Sequence, residues 1–193
     1  MYQVEKTNGI YYLMKKSGAN RREKIMNAAL LLFSAKGYAD TSTKLIAKEA
    51  NVSEALIFKH FENKDKLLFH LIKSGYRRVL AQNKGMLTYS DPSSFLKNMI
   101  DLPRKLVSEE PLFWRLQERL SHHEFSKQQH YHFMKPVNTI INKAFTELGM
   151  LNPDLETQFL LLIIDTMWKK EAIGDLENIT ELAELIKAKY NLQ

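Results

Sequence analysis

The sequence contains no cysteine, so disulfide bonds and a cysteine-based zinc site are excluded. It is also poor in glycine and proline, with seven and five residues among 193, which disfavours a fold built from many β-turns. The longest apolar run, Phe159–Ile164, falls far short of the roughly 20 residues that a membrane span requires. The missing cysteine fits a reducing compartment, so we expect a cytoplasmic protein. The short apolar run indicates that it has no membrane partner. We also expect no cofactor.

The first residues lack the features of a signal peptide. The segment MYQVEKTNGIYYLMKKSG has neither a basic-then-apolar order nor a small-residue cleavage site. Met14, followed by Lys15 and Lys16, resembles an internal translation start. We expect residues 1–17 to be an N-terminal extension without a role in the fold, and whether residues 1–13 belong to the native protein stays open.

Positive charge is concentrated in one part of the chain. The net charge is +6, yet residues 15–78 contain 14 lysines and arginines against six acidic residues, whereas all other positions contain 14 against 16. A basic segment beside a nearly neutral remainder indicates that one part of the chain contacts a polyanion such as nucleic acid. A merely solvated basic surface is the alternative.

Apolar residues recur with helical spacing along almost the whole chain, and no convincing strand pattern, repeat or low-complexity tract is present. The prediction is an all-α protein of about nine helices. Cap residues and prolines suggest one helix at about 20–36, a short one through Leu45 and Ala50 after a Thr41 or Ser42 cap, and a third after Ser53. A fourth follows an Asn63 cap and runs through Leu80. A fifth opens at Asp91-Pro92 and ends before Pro103 or a little after it, and the others open at Pro111 or lie at about 127–148, 154–173 and 179–190.

The segment NVSEALIFKHFENKDK, residues 51–66, mixes aromatic and basic residues after a cap-like Ser53. Placing successive residues about 100° apart puts Ile57 and Phe61 on one side of the third helix. Lys59 lies centrally on the opposite side, together with Ala55 and Leu56. A short second helix, a tight turn and this third helix form a helix-turn-helix, whose outer face would enter a DNA major groove.

The run IMNAALLLFSAKGYADTSTKLIAKEANVSEALIFKHFENKDKLL, residues 25–68, resembles the DNA-binding domain of the tetracycline-repressor (TetR) family. Many spaced features match in one order, among them Gly37-Tyr38, Val52-Ser53 and His60-Phe61. The resemblance implies a helix-turn-helix domain at 18–62 and a ligand-binding and dimerisation domain at 63–193. It also implies a homodimeric, non-enzymatic repressor that a small-molecule effector of unknown identity releases from a palindromic double-stranded DNA operator.

Carried over position by position, the family pattern also assigns DNA contacts. Residues at the start of the second helix would contact phosphates and an outer base. Residues on the outer face of the third helix would contact base edges. Residues on the flanks of the third helix and at the start of the fourth would contact the DNA backbone. These residues are, in that order, Ser42, Thr43 and Lys44; Ala55, Leu56 and Lys59; and Phe58, His60 and Lys64.

Three positions depart from the usual family pattern. Asn51 stands where the turn usually has glycine, and asparagine tolerates the left-handed conformation better than most residues. Ala55, where glycine is frequent, favours a stiffer helix. Phe58, where tyrosine is common, lacks the phenolic donor to a phosphate.

The C-terminal part offers a candidate effector pocket and a candidate dimer interface. Large apolar residues that either line a cavity or simply form the core are Phe95, Met99, Phe113, Trp114, Phe125, Phe133, Met134, Met167 and Trp168. The predicted helix at 154–173 is apolar nearly all round, which favours one side on its own core and the other on a partner chain. The dimer residues predicted on it and on the last helix are Phe159, Leu162, Ile163, Leu182 and Ile186.

Other functions find less support in the residues. The histidines of SHHEFSKQQHYHF do not share one helix face at the spacing that a metal prefers, so we predict no metal site. No nucleophile elbow, phosphate loop or paired metal motif is present, which disfavours an enzyme. The remaining alternative is a constitutive helix-turn-helix DNA-binding protein with no small-molecule effector.

Overall fold

The computed structural model describes residues 20–192, and the predicted extension at residues 1–17 lies outside them. The described part has no strand and confirms the all-α prediction. Its ten helices are α1 Arg21–Lys36, α2 Thr43–Ala50, α3 Glu54–Phe61, α4 Lys64–Gln82, α5 Lys84–Leu87, α6 Pro92–Glu109, α7 Pro111–Arg119, α8 Glu124–Glu147, α9 Pro153–Ile173 and α10 Ile179–Lys189. The short helix α5 is the one that the sequence did not predict.

Side-chain caps set several helix starts, because they satisfy backbone N–H groups that have no partner within the helix. The Asn20 amide oxygen accepts from the Glu23 N–H at 2.9 Å, and the Glu23 carboxylate accepts from the Asn20 N–H at 3.2 Å, forming a capping box. Asn63 accepts from the Lys66 N–H at 2.8 Å, and Asp91 caps α6 in the same way. The predicted caps Asn63 and Asp91 are thus present.

Helix α6 runs past Pro103 to Glu109, further than the proline suggested. A proline inside a helix removes one backbone hydrogen bond and costs about 3 kcal/mol. Leu102, Leu106 and Val107 are all buried on either side of it. Burying three such side chains is worth roughly 1.5–3 kcal/mol each, which outweighs the cost of the proline.

The chain divides into two compact units, one ending at Leu71 and the other beginning at Ile72. We predicted a domain boundary after residue 62. The unit boundary lies later in the chain, after Leu71, because the first part of α4 belongs to the first unit. Leu67 and Leu68 are fully buried there.

The first unit consists of α1, α2, α3 and the beginning of α4. Its buried apolar residues are Ile25, Ala28, Ala29, Leu30, Leu32, Phe33, Ile46, Ala47, Ala50, Ile57, Phe61, Leu67, Leu68 and Leu71. Asn51 ends α2 in the left-handed conformation, with φ 52° and ψ 52°, and its N–H reaches the Ala47 and Lys48 carbonyls. The turn therefore forms with asparagine in place of glycine, as predicted.

The second unit is built around α9, which packs on α6, α7 and α8. The inner side of α9 contributes Leu160, Met167 and Trp168 to the core, whereas Phe159 and Leu162 on its outer side are 51% and 68% exposed. The prediction that only one side of this helix faces its own core is confirmed. Within residues 20–192, no helix combines the length and apolarity that crossing a membrane requires.

Gly75 of α4 allows a close approach to the ring of Phe113, which is itself buried. A Cβ atom at position 75 would lie 2.0 Å from Phe113 Cε2, a distance that no pair of carbon atoms tolerates. The packing of α4 on Phe113 therefore depends on the absence of a Cβ atom at Gly75.

We expect Gly75→Ala to destabilise the protein by about 1–3 kcal/mol, because overpacking displaces a buried ring. This loss exceeds the gain of about 1 kcal/mol that alanine usually brings to a helix. Gly85→Ala is the matched control, since a Cβ at position 85 meets no atom within 4 Å. Urea denaturation measures both, and a Gly75→Ala protein as stable as the parent would contradict the assigned packing.

Candidate functional site

Helix α3 presents two chemically different faces. Ile57 and Phe61 are buried in the first unit, at 0% and 1% exposure. Ala55 and Lys59 are exposed on the opposite face, and Phe58 on the flank is 45% exposed. Leu56 and His60 are partly exposed. The face of α3 that the sequence predicted to contact DNA is therefore exposed to solvent.

The start of α2 is joined to the start of α3 by a side-chain hydrogen bond. Ser42 caps α2 by accepting from the Leu45 N–H at 3.2 Å. The Thr43 hydroxyl donates to the Glu54 carboxylate at 2.5 Å, which fixes the first turn of α3 against the first turn of α2. Lys44, the residue after Thr43, has an exposed side chain.

The predicted cap of α3 differs from the observed one. Ser53 occupies the N-cap position, but its side chain makes no capping hydrogen bond. The Leu56 N–H instead bonds to the Ser53 carbonyl at 3.0 Å. We predicted that a Ser53 cap would position the first turn of α3. The hydrogen bond from Thr43 to Glu54 positions it instead.

Lys64 is bonded within the first unit. Its Nζ donates to the backbone carbonyls of Tyr38 at 2.9 Å and of Thr41 at 3.0 Å, and lies 4.2 Å from the centre of the Tyr38 ring. The Tyr38 hydroxyl donates to Asp65, the residue after Lys64. These contacts fix the start of α4 to the loop after α1, so removal of Lys64 would affect stability as well as any DNA contact.

The second unit contains a cavity of about 370 Å³ between α7, α8 and α9. Most of its lining surface is apolar, as in typical small-molecule sites, although most of its lining residues also carry a polar or charged group. The lining residues are Gln117, Ser121, Ser126, Lys127, His130, Tyr131, Met134, Leu161, Asp165, Trp168 and Lys169. A smaller, almost wholly apolar cavity of about 30 Å³ shares His130, Met134 and Trp168 with it.

A buried polar network joins the larger cavity to α4. The Gln117 carbonyl oxygen accepts from the Tyr76 hydroxyl at 3.0 Å and from the Ser126 hydroxyl at 3.0 Å. The Tyr76 hydroxyl also lies 3.1 Å from His130 Nδ1. Burial lowers the pKa of His130, although the Asp165 carboxylate, 3.7 Å from Nε2, acts in the opposite direction. The imidazole is therefore neutral at pH 7.

The structure divides the predicted pocket residues into three groups. Met99, Trp114, Phe133, Met134 and Trp168 line the larger or the smaller cavity.

Phe95 and Phe113 are buried core residues that line neither cavity, and Phe125 lines neither. Met167 is a buried residue that lines neither cavity but borders a separate groove between α9 and α10. Sequence reasoning missed the polar residues Gln117 and Ser126, because single polar residues on otherwise amphipathic helices give no recognisable pattern.

The predicted dimer residues mostly gather along one apolar groove. Phe159, Leu162 and Ile163 of α9 and Leu182 of α10 line a groove of about 400 Å³. Ile186 is 3% exposed and belongs to the core of its own chain, because it lies on the inner side of α10. In residues 20–192, no three histidine, aspartate or glutamate side chains are grouped as metal ligands.

We expect Lys64→Met to lower the free energy of unfolding by about 1–3 kcal/mol, because two backbone carbonyls lose a charged donor. Lys66→Met removes the same charge from an exposed neighbour on α4 and should change stability by no more than about 0.5 kcal/mol. Thermal denaturation compares the two variants. Equal melting temperatures would show that the bonds of Lys64 add nothing to stability.

Comparison with known proteins adds independent information. Residues 25–71 match the family described as bacterial regulatory proteins, tetR family. The uncharacterized HTH-type transcriptional regulator YvkB of Bacillus subtilis (strain 168) is 34% identical over 87 residues, which cover 45% of this chain and 43% of YvkB. The biofilm operon icaADBC HTH-type negative transcriptional regulator IcaR of Staphylococcus aureus (strain Newman) is 31% identical over 72 residues, 36% of this chain and 39% of IcaR. The chain thus matches less than half the length of these relatives.

The likeness in fold extends further than the likeness in sequence. A TetR-like transcriptional regulator from Rhodococcus sp. RHA1 aligns with a TM-score of 0.76 over 88% of this chain and 93% of that one, at 17% identity. Identity this low shows a shared fold alone. The match to the tetR family therefore covers residues 25–71, and the chain as a whole shares the fold of this TetR-like structure.

Proposed function

We propose that the protein is a dimeric transcriptional repressor of the bacterial cytoplasm that binds palindromic operator DNA and is released from it by a small-molecule effector. The observation that carries the DNA-binding part is the orientation of α3. Its apolar side is buried through Ile57 and Phe61, and Lys59 is exposed on the opposite side. This is the arrangement in which a recognition helix presents side chains to a major groove.

The surrounding residues support distinct roles in DNA contact. Lys59, Ala55 and Leu56 are proposed to meet base edges, since they occupy the outer side of α3. The proposed phosphate and flanking contacts come from Ser42, Thr43, Lys44, Phe58 and His60. Phosphate contacts fix position and orientation on DNA, whereas base contacts carry sequence preference.

Lys64 has a different proposed role from the one that the resemblance assigned. Its ammonium group is occupied by the carbonyls of Tyr38 and Thr41. We infer that Lys64 supports the DNA-binding surface by fixing the start of α4, and that its positive charge adds to the basic field of the first unit.

Repression and dimer formation have separate support. IcaR, which matches this chain over 72 residues, is described as a negative regulator. The groove of α9 and α10 gathers exposed apolar side chains, with Phe159 at 51% and Leu162 at 68%, and apolar surface concentrated in one place often marks a site that a partner covers. A second copy of the chain supplies the same apolar surface, as a two-fold interface requires.

An effector is supported by the cavity of the second unit. Tyr76, which contacts Gln117 and His130 beside that cavity, lies on α4. The same helix begins at Lys64 in the first unit. A ligand that displaces Tyr76 would therefore act on a helix that contributes residues to both units. A constitutive DNA-binding protein would need neither this cavity nor its polar lining.

The first test is selection of bound duplexes from a random DNA pool, followed by affinity measurements at several salt concentrations. We expect a palindromic site whose half-sites are about 34–36 Å apart or a multiple of that distance, and an affinity that falls as salt rises. Failure to enrich any sequence would contradict a sequence-specific regulator.

Lys59→Ala should lower affinity for the selected site by about 1–3 kcal/mol and weaken its base preference, provided that the lysine contacts a guanine. Lys84→Ala removes the same charge from an exposed position in the second unit and serves as the control. Titration against the selected site and single-base variants measures both effects. An unchanged base profile for Lys59→Ala would show that Lys59 does not read the sequence.

Leu162→Glu should convert the dimer into a monomer, because it places a charge in the apolar groove. Leu151→Glu introduces the same charge at a fully exposed position outside the groove and should leave the dimer intact. Sedimentation velocity at micromolar concentration distinguishes the two. A parent protein that is monomeric, or a Leu162→Glu variant that stays dimeric, would rule out this interface.

A further inference from the structure

The cavities of the second unit contain two buried hydrogen-bond donors without a partner among the described residues. Gln117 is 3% exposed, and its Nε2 has no acceptor, although its carbonyl oxygen accepts two bonds. Trp114 is 1% exposed, and its indole Nε1 has none either. An unsatisfied buried polar group costs about 1–3 kcal/mol, so native proteins rarely retain one without a reason.

Both residues line cavities, and the two cavities share three lining residues. Gln117 lines the larger cavity of about 370 Å³. Trp114 lines the smaller one, which shares His130, Met134 and Trp168 with it. An indole N–H can only donate, so a group that satisfies Trp114 must be an acceptor. The free amide N–H of Gln117 makes the same demand.

Two of the acceptor groups around the larger cavity already have partners. The carboxylate of Asp165 accepts from Trp168 Nε1 at 3.1 Å and from Lys169 Nζ at 2.5 Å. The Gln117 oxygen is occupied by the Tyr76 and Ser126 hydroxyls. Gln117 therefore offers a ligand its unpaired N–H donor and not its occupied carbonyl oxygen.

Charge around the cavity points the same way. Asp165 is balanced by Lys169, and Lys127 adds a positive charge at the exposed edge. This net positive charge would repel a cationic ligand but not a neutral or singly negative one. The apolar and aromatic part of the lining is formed by Tyr131, Met134, Leu161 and Trp168.

We propose that the larger cavity binds a small molecule with an apolar body and a carbonyl or carboxylate oxygen, neutral or monoanionic, whose oxygen accepts a hydrogen bond from Gln117 Nε2. This inference names the chemical class of the effector and so rests on the effector part of the proposed function. Because Gln117 also holds the Tyr76 hydroxyl, the ligand oxygen contacts the residue that connects the cavity to α4.

Intrinsic fluorescence gives a direct readout, since the chain has two tryptophans and both line these cavities. The probes are cyclohexylacetate, cyclohexylacetone, cyclohexylethylamine and ethylcyclohexane, which share one apolar body and differ in the head group. The full-length protein is titrated with each probe without DNA. We expect the carboxylate and the ketone to bind about ten-fold or more tightly than the amine and the hydrocarbon.

Two variants assign the effect to Gln117. Gln117→Leu removes the donor and should reduce binding of the carboxylate and ketone to the level of the hydrocarbon. Gln117→Glu keeps an oxygen for the Tyr76 and Ser126 hydroxyls but replaces the donor with an acceptor, so it should favour the amine. Gln128→Leu makes the same chemical change at an exposed position and should leave all four affinities unchanged. Melting temperatures show whether each variant is folded. If Gln117→Leu does not fold, Gln117→Glu alone tests the role of the Gln117 donor.

The outcomes separate this inference from the proposed function. No saturable binding at millimolar probe, binding that ignores the head group, or unchanged affinities in both Gln117 variants would overturn the inference. DNA affinity measured on the same samples is independent of it. Intact DNA binding without probe binding would reject the ligand class alone, whereas head-group-selective probe binding without DNA binding would reject the DNA-binding function alone.

Discussion

Burial of Ile57 and Phe61 determines which side of α3 the protein presents to solvent. These two side chains lie four residues apart, so they occupy one stripe of a helix only eight residues long. With that stripe fixed in the core, rotation of α3 about its axis is prevented and Lys59 has only one direction in which to point. The bond from Thr43 to Glu54 then fixes the helix along its length. A short recognition helix has little stability of its own, so its geometry must be supplied by such tertiary contacts.

The second unit follows a different principle, because its central polar network is only partly satisfied. Tyr76, Gln117 and Ser126 form a chain of hydrogen bonds inside an aromatic core where Tyr76 also packs against Phe113 and Phe133. Such networks stabilise a core when every member has a partner. The Gln117 amide N–H has no partner among the described residues, so this network stabilises the core less than a fully bonded one would.

Much of the fold followed from sequence because its signals are local. Asn63 and Asp91 cap helices as their positions predicted, and the apolar spacing of α3 placed Ile57 and Phe61 inward. The failures involve competition between local and tertiary forces. Pro103 did not end α6, because the apolar residues around it are buried.

The site was predictable to a similar extent and failed for similar reasons. The outward face of α3 follows from helical geometry alone, so its residues could be named in advance. The partners of Lys64 lie more than 20 residues earlier in the chain, at Tyr38 and Thr41, and no local pattern connects them. The sequence could not identify Gln117 as a cavity residue for the same reason. Its contacts are with Tyr76 and the cavity, and not with its sequence neighbours.

The position of the unit boundary after Leu71 has a consequence for how such a DNA-reading part can be exchanged between regulators. A segment cut at residue 62 would end with α3 yet lose Leu67 and Leu68, exposing a core that these residues cover. It would also lose the anchor that Lys64 provides to the loop after α1. The portable piece is therefore the three helices together with the first two turns of α4. A segment that ends after these two turns keeps the core of the first unit covered, and a segment that ends with α3 does not.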